Sequence, residues 1–302
     1  MKKRLFIFMT AILLAIAFAA CAKKEKNTTS DQVVEDTANN NNQEQGQDED
    51  LKKQGEDQSD NSLEYIKSRG KLILGLDDAF PPMGFRDDSG EIVGFDIDMA
   101  KAVCEKLGVE LVLQPIDWEA KEHELNTKNI DCIWNGFSVT PERMESLTLS
   151  IPYMENAIAI VVKKDSGINT KEDMAGKRLA VQGRSSAEEA LYMEENSEFR
   201  ESLGEINSGF KDYVTALMDL ETGNSDAVLM DSVVAAYMIN EAGKDFVVLK
   251  DTLVAEKYAI GFRKGEEALA EAINNALREL KADGTVEKIS TKWFGSDITI
   301  IE

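Results

Sequence analysis

The chain has 302 residues and a formal net charge of −22 at pH 7. Most of the acidic excess falls after residue 62, which argues against binding to nucleic acid and against adhesion to an anionic membrane surface. No phosphate-binding glycine loop, G-x-S-x-G or H-E-x-x-H motif occurs, so we expect no cofactor.

The first twenty residues have the layout of a secretion signal. A basic start is followed by an apolar run at 5–18, which is too short to span about 30 Å of hydrocarbon. The run ends in the letters FAAC at residues 18–21, which resemble the lipobox of bacterial lipoproteins. We therefore predict a signal peptide over 1–20 and a lipid anchor on Cys21. Ordinary secretion with an unmodified Cys21 is the alternative.

Residues 21–62 differ in composition from the rest of the chain. They are rich in Asn, Gln, Asp and Glu, and they contain no aromatic residue. Such a stretch buries too little apolar surface to offset the entropy of ordering it, so we predict a disordered tether. Its r.m.s. reach of ~35 Å would keep a folded domain close to a membrane partner.

From residue 63 onwards, short apolar runs alternate with amphipathic stretches. The pattern predicts strands at 71–76, 109–115, 131–135, 157–163, 178–182, 227–230, 246–249 and 258–262. It predicts helices at 97–107, 120–126, 141–147, 187–195, 213–221, 233–241, 266–282 and 285–294. This alternation favours an α/β fold with mainly parallel sheets.

The cysteines after Cys21 indicate neither a disulfide framework nor a metal site. Cys104 falls on a predicted helix and Cys132 in a predicted apolar strand, which favours two buried thiols over a disulfide. With one histidine in the chain and no Cys or His cluster, we expect no transition-metal site.

A faint internal repeat relates two parts of the chain. Residues 124–132 align with residues 219–227, and the identical positions are Leu125/Leu220, Thr127/Thr222, Asn129/Asn224 and Asp131/Asp226. Each copy is the end of a helix, a turn and a strand, as two similar lobes would show. The register puts 135–136 level with 230–231, beyond the predicted strands. Ligands of open α/β sheets lie off such strand ends.

Two of these strand ends carry opposite charges. After the strand at 131–135, a Thr-Pro pair starts a helix whose first turn holds Arg143, and a guanidinium beside free amide groups favours a carboxylate. After the strand at 227–230, Asp231 offers a carboxylate to an ammonium. The plain alternatives are a surface pair between Arg143 and a nearby glutamate, and a helix cap at Asp231.

Further candidates follow other strands. Ser185 and Glu188 have capping-box spacing, which is a plain helix start and also a place where spare amides meet an anion. Asp77 and Phe80 follow the strand at 71–76, and Trp118 follows the strand at 109–115. The two aromatics either wall a pocket or belong to the core.

These segments lie in a pattern that resembles the family 3 extracellular solute-binding proteins, the polar amino-acid receptors of ABC importers. The resemblance covers nearly all of residues 63–302. Its marks are Gly94-Phe95-Asp96-Ile97-Asp98 with Ala100-Lys101, Ser138-x-Thr140-x-x-Arg143, Asp283-Gly284-Thr285 and Lys292-Trp293-Phe294-Gly295. It implies a two-lobed periplasmic-binding-protein type II fold. Lobe 1 would be 63–154 plus 255–302 and lobe 2 would be 157–250, with a hinge near 154–156 and 250–254.

The resemblance also implies how an amino acid would be held. Arg143 would bind the α-carboxylate, with the backbone amides of Ser138 and Ser185. Asp231 would bind the α-ammonium, with the carbonyl of Gly136 and the hydroxyl of Ser138. Ligand contacts from both lobes would favour the closed state.

For the ligand side chain, the resemblance implies a sandwich between Phe80 and Trp118, with Asp77 and Asn135 at the far end. The implied partners are a free basic or polar amino acid and ABC permease subunits. The protein would be a monomer held at the outer face of the cytoplasmic membrane.

Departures from the family pattern leave the ligand and one alternative open. Asn135-Gly136 stands where the basic amino-acid receptors have a serine pair, and 184–186 replaces a threonine-rich stretch. Some relatives resemble cyclohexadienyl dehydratases, so an enzyme with Asp77 or Glu122 as general acid is the main rival. The expected pair of sites for an α-carboxylate and an α-ammonium, together with the lipid anchor, favours a binding protein.

Overall fold

The computed structural model describes residues 60–242 and 245–302. The predicted signal peptide, Cys21 and the part of the predicted tether before residue 60 lie outside the described residues. Ser62, which the sequence assigned to the tether, is buried and begins helix α1.

The helices of the described part are α1 (Ser62–Arg69), α2 (Phe95–Leu107), α3 (Lys121–Asn126), α4 (Pro141–Ser146), α5 (Ser186–Tyr192), α6 (Ser197–Ser202), α7 (Tyr213–Thr222), α8 (Ser232–Ala242), α9 (Glu267–Ala282) and α10 (Thr285–Phe294). The strands are β1 (Lys71–Leu76), β2 (Ala79–Phe80), β3 (Gly84–Arg86), β4 (Ile92–Val93), β5 (Glu110–Pro115), β6 (Cys132–Ser138), β7 (Leu147–Leu149), β8 (Met154–Lys163), β9 (Arg178–Gln182), β10 (Glu205–Phe210), β11 (Ala227–Asp231) and β12 (Phe246–Arg263). Strands and helices alternate along most of the chain, and the predicted α/β class is confirmed.

The main strands form one hydrogen-bonded path in the order β10-β9-β11-β8-β12-β6-β1-β5, with β7 beside β12. At one end β10, β9 and β11 are parallel, and at the other end β6, β1 and β5 are parallel. The long strands β8 and β12 join these ends and pair antiparallel with each other and with their neighbours. We call the part around β5, β1 and β6 lobe 1 and the part around β11, β9 and β10 lobe 2.

Strand β12 differs from the prediction. The sequence suggested separate strands at 246–249 and 258–262, because the polar run at 250–252 interrupts the apolar pattern. The structure has one 18-residue strand that pairs with β8 on both sides of that run. The ladder shifts register between Val248 and Thr252 and again before Val254, within the predicted second hinge segment.

The internal repeat has a structural cause. A carboxylate oxygen of Asp131 accepts the backbone N–H of Ile73 on the adjacent parallel strand β1 at 2.7 Å. The carboxylate of Asp226 accepts the backbone N–H of Arg178 on β9 at 2.9 Å. In each lobe, therefore, an aspartate just before a buried strand fixes the position of the neighbouring strand.

Cys104 and Cys132 are both buried and free, which confirms the preference for thiols over a disulfide. Burial raises the pKa of the Cys104 thiol to about 12. Within residues 60–242 and 245–302, no helix is both long enough and apolar enough to cross a bilayer. The same residues contain no group of three or more His, Cys, Asp or Glu side chains arranged to hold a metal ion.

Candidate ligand-binding site

Arg143 lies in the first turn of α4 and is 3% exposed. The hydroxyl of Thr140 accepts the backbone N–H of Arg143, so the Thr-Pro helix start forms as predicted. The guanidinium Nη1 donates to the carbonyl of Ser138 at 2.8 Å, and Nη2 lies 3.4 Å from a carboxylate oxygen of Glu189 in lobe 2. Nε is buried and has no hydrogen-bond partner among the described residues. The N–H groups on the edge formed by Nε and Nη2 are therefore only weakly hydrogen-bonded and can donate to an anion.

Asp231 ends β11 and is 3% exposed. Its Oδ1 accepts hydrogen bonds from the Tyr258 hydroxyl at 2.8 Å and from Asn156 Nδ2 at 2.7 Å. Its Oδ2 accepts the Tyr213 hydroxyl at 3.1 Å. Burial raises the pKa of Asp231, while the three donors and the charge of Arg143 act in the opposite direction. The donors come from α7 and from β8 and β12, the two strands that cross between the lobes. This carboxylate therefore lies at the junction of the lobes.

A buried polar chain connects the surroundings of Arg143 with those of Asp231. The Ser186 hydroxyl at the start of α5 lies 3.1 Å from the Ser138 hydroxyl and 3.3 Å from Glu256 Oε2. Asn156 Nδ2 lies 3.3 Å from that Glu256 oxygen, in addition to its bond to Asp231. The predicted anion-binding and cation-binding residues therefore share one site.

Sequence reasoning missed Glu256. Glu256 lies on β12 two residues before Tyr258 and on the same face of the strand, and both side chains are buried. The alternation of inward-facing residues, extended backwards from Tyr258, was the signal that could have found it. Burial and the negative charge of Asp231 raise the pKa of Glu256 to about 7.

Asp77 follows β1 and faces lobe 2. Its Oδ1 accepts the backbone N–H of Ala79 at 2.9 Å, and its Oδ2 accepts Gln182 Nε2 at 3.1 Å. Burial raises the pKa of Asp77 to about 6. Asn135 Oδ1 accepts the backbone N–H of Asp77 at 3.0 Å. Asn135 Nδ2 is buried and finds no partner in the described part of the chain, so a donor and an acceptor lie side by side here.

The two predicted aromatic walls are both buried, but their ring contacts are with different partners. Phe80 packs against Tyr213 of lobe 2 with ring centroids 5.7 Å apart. Trp118 packs edge-on against Phe137 at 6.1 Å. The Arg143 guanidinium lies 4.1 Å from the same Phe137 ring. Phe80 therefore borders the Asp231 end of the site, and Trp118 the Arg143 end.

Residues 72–296 match the family model of the bacterial extracellular solute-binding proteins, family 3. The chain belongs to this family. The L-cystine-binding protein TcyJ of Escherichia coli (strain K12) is 32% identical over 240 residues, which cover 78% of this chain and 87% of that protein. The arginine-binding extracellular protein ArtP of Bacillus subtilis (strain 168) is 31% identical over 226 residues, which cover 74% and 86%.

A solved structure supports the same assignment. A substrate-binding protein of an ABC uptake transporter from Streptococcus pneumoniae, with bound histidine, superposes with a TM-score of 0.76 at 40% identity. The match covers 79% of this chain and 98% of that one. The resemblance of the sequence to the family 3 solute-binding proteins is confirmed, and so is the predicted two-lobed fold of a periplasmic binding protein.

Direct contacts between the lobes show that this solute-binding protein is closed. Besides the Asp77–Gln182 and Phe80–Tyr213 contacts, Lys121 Nζ donates to the backbone carbonyl of Arg184 at 2.8 Å. Lys121 is only 1% exposed, and burial followed by the charge of Arg143 lowers its pKa to about 8. Sequence reasoning missed it, because a lysine between glutamates on a short helix is typical of a solvated face.

Gly136 and Ser185 occupy backbone positions beside the site. Gly136 has φ +55, and its N–H donates to the buried Asp96 carboxylate at 2.7 Å. A Cβ at Gly136 would lie 2.7 Å from Cε1 of Phe80. Only a glycine fits position 136 without displacing an aromatic ring of the site. At Ser185, the hydroxyl accepts the backbone N–H of Glu188, which is the predicted helix cap.

Proposed function

We propose that this protein captures a free amino acid in the cleft between its lobes, outside the cell, and delivers it to the permease subunits of an ABC importer. One observation carries the proposal. A guanidinium whose Nε has no partner among the described residues and a carboxylate that accepts three hydrogen bonds from them lie at the two ends of one buried polar chain. A zwitterion is the ligand whose two poles match such an arrangement.

In this proposal Arg143 binds the α-carboxylate together with the backbone amides of Ser138 and Ser185. Asp231 binds the α-ammonium, with the Gly136 carbonyl and the Ser138 hydroxyl as further acceptors. Burial of these groups favours the proposal, because a buried charge without a partner is expensive and a bound zwitterion supplies both partners.

The side-chain end of the site favours a basic or polar amino acid. Asp77 offers an acceptor, and Asn135 offers a donor without a partner in the part of the chain that the structure describes. An amide or a cationic tip therefore suits this end better than an aliphatic one. Phe80 and Trp118 would border the ligand on its apolar sides. Relatives named for L-cystine and arginine, and a structural neighbour with bound histidine, support this class.

We propose that lobe 1 comprises 63–154 plus 255–302 and lobe 2 comprises 157–250, with the hinge at 154–156 and 250–254. A ligand held by Arg143 from lobe 1 and by Asp231 from lobe 2 interacts with both lobes only when they are closed. It therefore shifts the equilibrium towards closure by its extra affinity for that form.

We further propose that residues 1–20 direct export and that a lipid on Cys21 anchors a monomer at the outer face of the membrane. Replacing Cys21 by alanine should move the protein from the membrane fraction to the soluble extracytoplasmic fraction, as seen by immunoblotting. A Cys104→Ala variant is the matched control and should stay with the membrane. Membrane retention of the Cys21 variant would contradict the anchor and leave ligand binding untouched.

A thermal-shift screen of the twenty amino acids and L-cystine tests the function. A ligand at 100 times its Kd stabilises the folded protein by about 2.7 kcal/mol, which raises the Tm of a chain of this size by roughly 5–10 °C. Mass spectrometry of the mixture should recover the ligand chemically unchanged, as expected for a receptor. Turnover would favour the dehydratase-like alternative, and no shift with any of the compounds would refute amino-acid binding.

A further inference from the structure

Glu256 is a buried carboxylate close to Asp231, on the crossing strand β12. It is 7% exposed, and its Oε2 has two neighbouring donors, each at 3.3 Å: Asn156 Nδ2 and the Ser186 hydroxyl. Asn156 comes from the other crossing strand, and Ser186 from lobe 2. The carboxyl group therefore lies where the two lobes and the hinge meet.

The donors near Asp231 and Glu256 are unequally divided. Asp231 accepts three bonds of 2.7 to 3.1 Å, and one of these uses the same Asn156 amide that serves Glu256. The Ser186 hydroxyl has a single proton, which either Glu256 or Ser138 receives. Glu256 also receives a hydrogen bond from Ser138, but its contacts with Asn156 and Ser186 are longer than the three bonds to Asp231. Glu256 is thus the more poorly stabilised anion, and the Arg143 charge is shared with Glu189.

Two buried carboxylates that share donors in this way do not both ionise readily, and the charge of Arg143, which is shared with Glu189, compensates them only in part. We propose that Glu256 is a ligand-binding residue of this site: in the ligand-free protein at mildly acidic pH it shares one proton with Asp231, and the α-ammonium of the ligand replaces that proton. This inference rests on the proposed function, since it assigns the second acceptor of the amino-acid ammonium.

The groups facing Glu256 support the exchange. Burial and the charge of Asp231 raise its pKa to about 7, and hydrogen bonds from Ser138 and Ser186 and the charge of Arg143 only partly offset them. The side chains that surround the pair from each packed element are Arg143 (α4), Ser138 (β6), Asn156 (β8), Ser186 (α5), Tyr213 (α7) and Tyr258 (β12). Arg143 is the one permanent cation in this set.

The proton has a route to water. Glu256 and Asn156 also line a groove of 400 Å³ on the hinge side, together with the exposed Glu155. On binding, one O–H bond of the carboxyl pair breaks and the proton passes to water, while the ammonium keeps its three N–H bonds. Each ligand bound at a pH below about 7 therefore releases up to one proton.

The sign of the pH dependence follows. Ligand and proton compete for the same carboxyl pair, so affinity falls as pH decreases below about 7, by up to tenfold per pH unit. Above that pH the pair is ionised and the dependence disappears. Asp77 also titrates, with its pKa raised to about 6, and Asp96 has its pKa raised to about 7 by burial, so a variant is needed to isolate Glu256.

Isothermal titration calorimetry of the whole protein tests the exchange. L-arginine and L-glutamine are the probes, because neither titrates between about pH 5 and 8. Titrations at pH 6 in two buffers of different ionisation enthalpy count the protons released. With L-glutamine, for which Asp77 need not be ionised, we expect the wild type to release close to one proton per ligand. Glu256→Gln should lose most of that release and show a nearly flat affinity for L-glutamine between pH 5.5 and 8. With L-arginine, the release and the pH dependence that remain in Glu256→Gln belong to Asp77. Glu155→Gln, on the same groove, should behave like the wild type.

Each outcome decides between the alternatives. If the wild type releases no proton on binding at pH 6, the inference is wrong. This test needs no variant, so it decides the question even if Glu256→Gln fails to fold. Binding with unchanged proton release in a folded Glu256→Gln variant also overturns it and leaves the proposed function standing. Failure of both probes and of every amino acid in the thermal-shift screen overturns the two together.

Discussion

Replacing Arg143 by alanine is the sharpest perturbation of the site. Arg143 is 3% exposed, and its Nη1 donates to the Ser138 carbonyl. Within the described residues, the edge formed by Nε and Nη2 has only a 3.4 Å contact with Glu189. A ligand carboxylate on that edge receives two charge-assisted hydrogen bonds, each contributing about 1.5–3 kcal/mol. Competition with Glu189 reduces the net gain to about 3 kcal/mol or more. We therefore expect the Kd to rise at least about 100-fold.

Equilibrium titration with the amino acid that gives the largest thermal shift provides the assay. Arg143→Lys keeps the charge without the planar fork and should recover only part of the affinity. Arg184→Asn is the matched control: Arg184 lines the pocket that Arg143 and Glu189 also line, is exposed, and has φ +52, which asparagine also tolerates. A folded Arg143→Ala protein that binds within threefold of the wild type refutes the carboxylate assignment. Glu189→Gln removes the competing anion and should tighten binding.

Three other substitutions address the remaining parts of the site. Asp77→Asn should weaken L-arginine binding by roughly 10–100-fold but L-serine much less. As pH falls below about 6, where Asp77 protonates, the wild type should lose affinity for L-arginine more steeply than for L-serine. Tyr213→Phe keeps the ring that packs on Phe80 but removes one hydrogen-bond donor to Asp231, the proposed ammonium ligand, so calorimetry should show a 3- to 10-fold loss of affinity. Gly136→Ala should lower the free energy of unfolding by about 2–3 kcal/mol in denaturant melts. Gly90→Ala, whose Cβ meets no atom, should cost only its strained φ of +83.

The fold was readable from the sequence because its signals are local. Alternating apolar and amphipathic runs gave the order of strands and helices, and the Thr140-Pro141 start placed Arg143 correctly in the first turn of α4. The internal repeat was visible because both copies keep an aspartate before the strand, although the backbone N–H groups that these carboxylates accept lie 58 and 48 residues away. The strand order and the helix start, by contrast, depend on residues a few positions apart.

Glu256 and Lys121 were missed for the opposite reason. Each is a charged residue in a polar stretch, which is typical of an exposed position, and each is buried only because distant parts of the chain meet there. Lys121 reaches the Arg184 carbonyl 63 residues away, and Glu256 approaches Ser186 70 residues away. The continuity of β12 through 250–252 has the same origin, because it depends on pairing with β8. Contacts that depend on the closed arrangement of two lobes leave no local pattern.

The position of Asn156 links ligand charge to lobe closure. Asn156 lies within the proposed hinge, yet its side-chain amide donates to Asp231 at 2.7 Å and approaches Glu256 at 3.3 Å. Closing the lobes around these carboxylates removes them from water, which is unfavourable until a cation or a proton compensates the charge. A bound ammonium therefore stabilises the closed form more than the open one, and that difference is what a ligand needs to drive closure. Because the carboxylates contact the crossing strands directly, no separate relay from the cleft to the hinge is required.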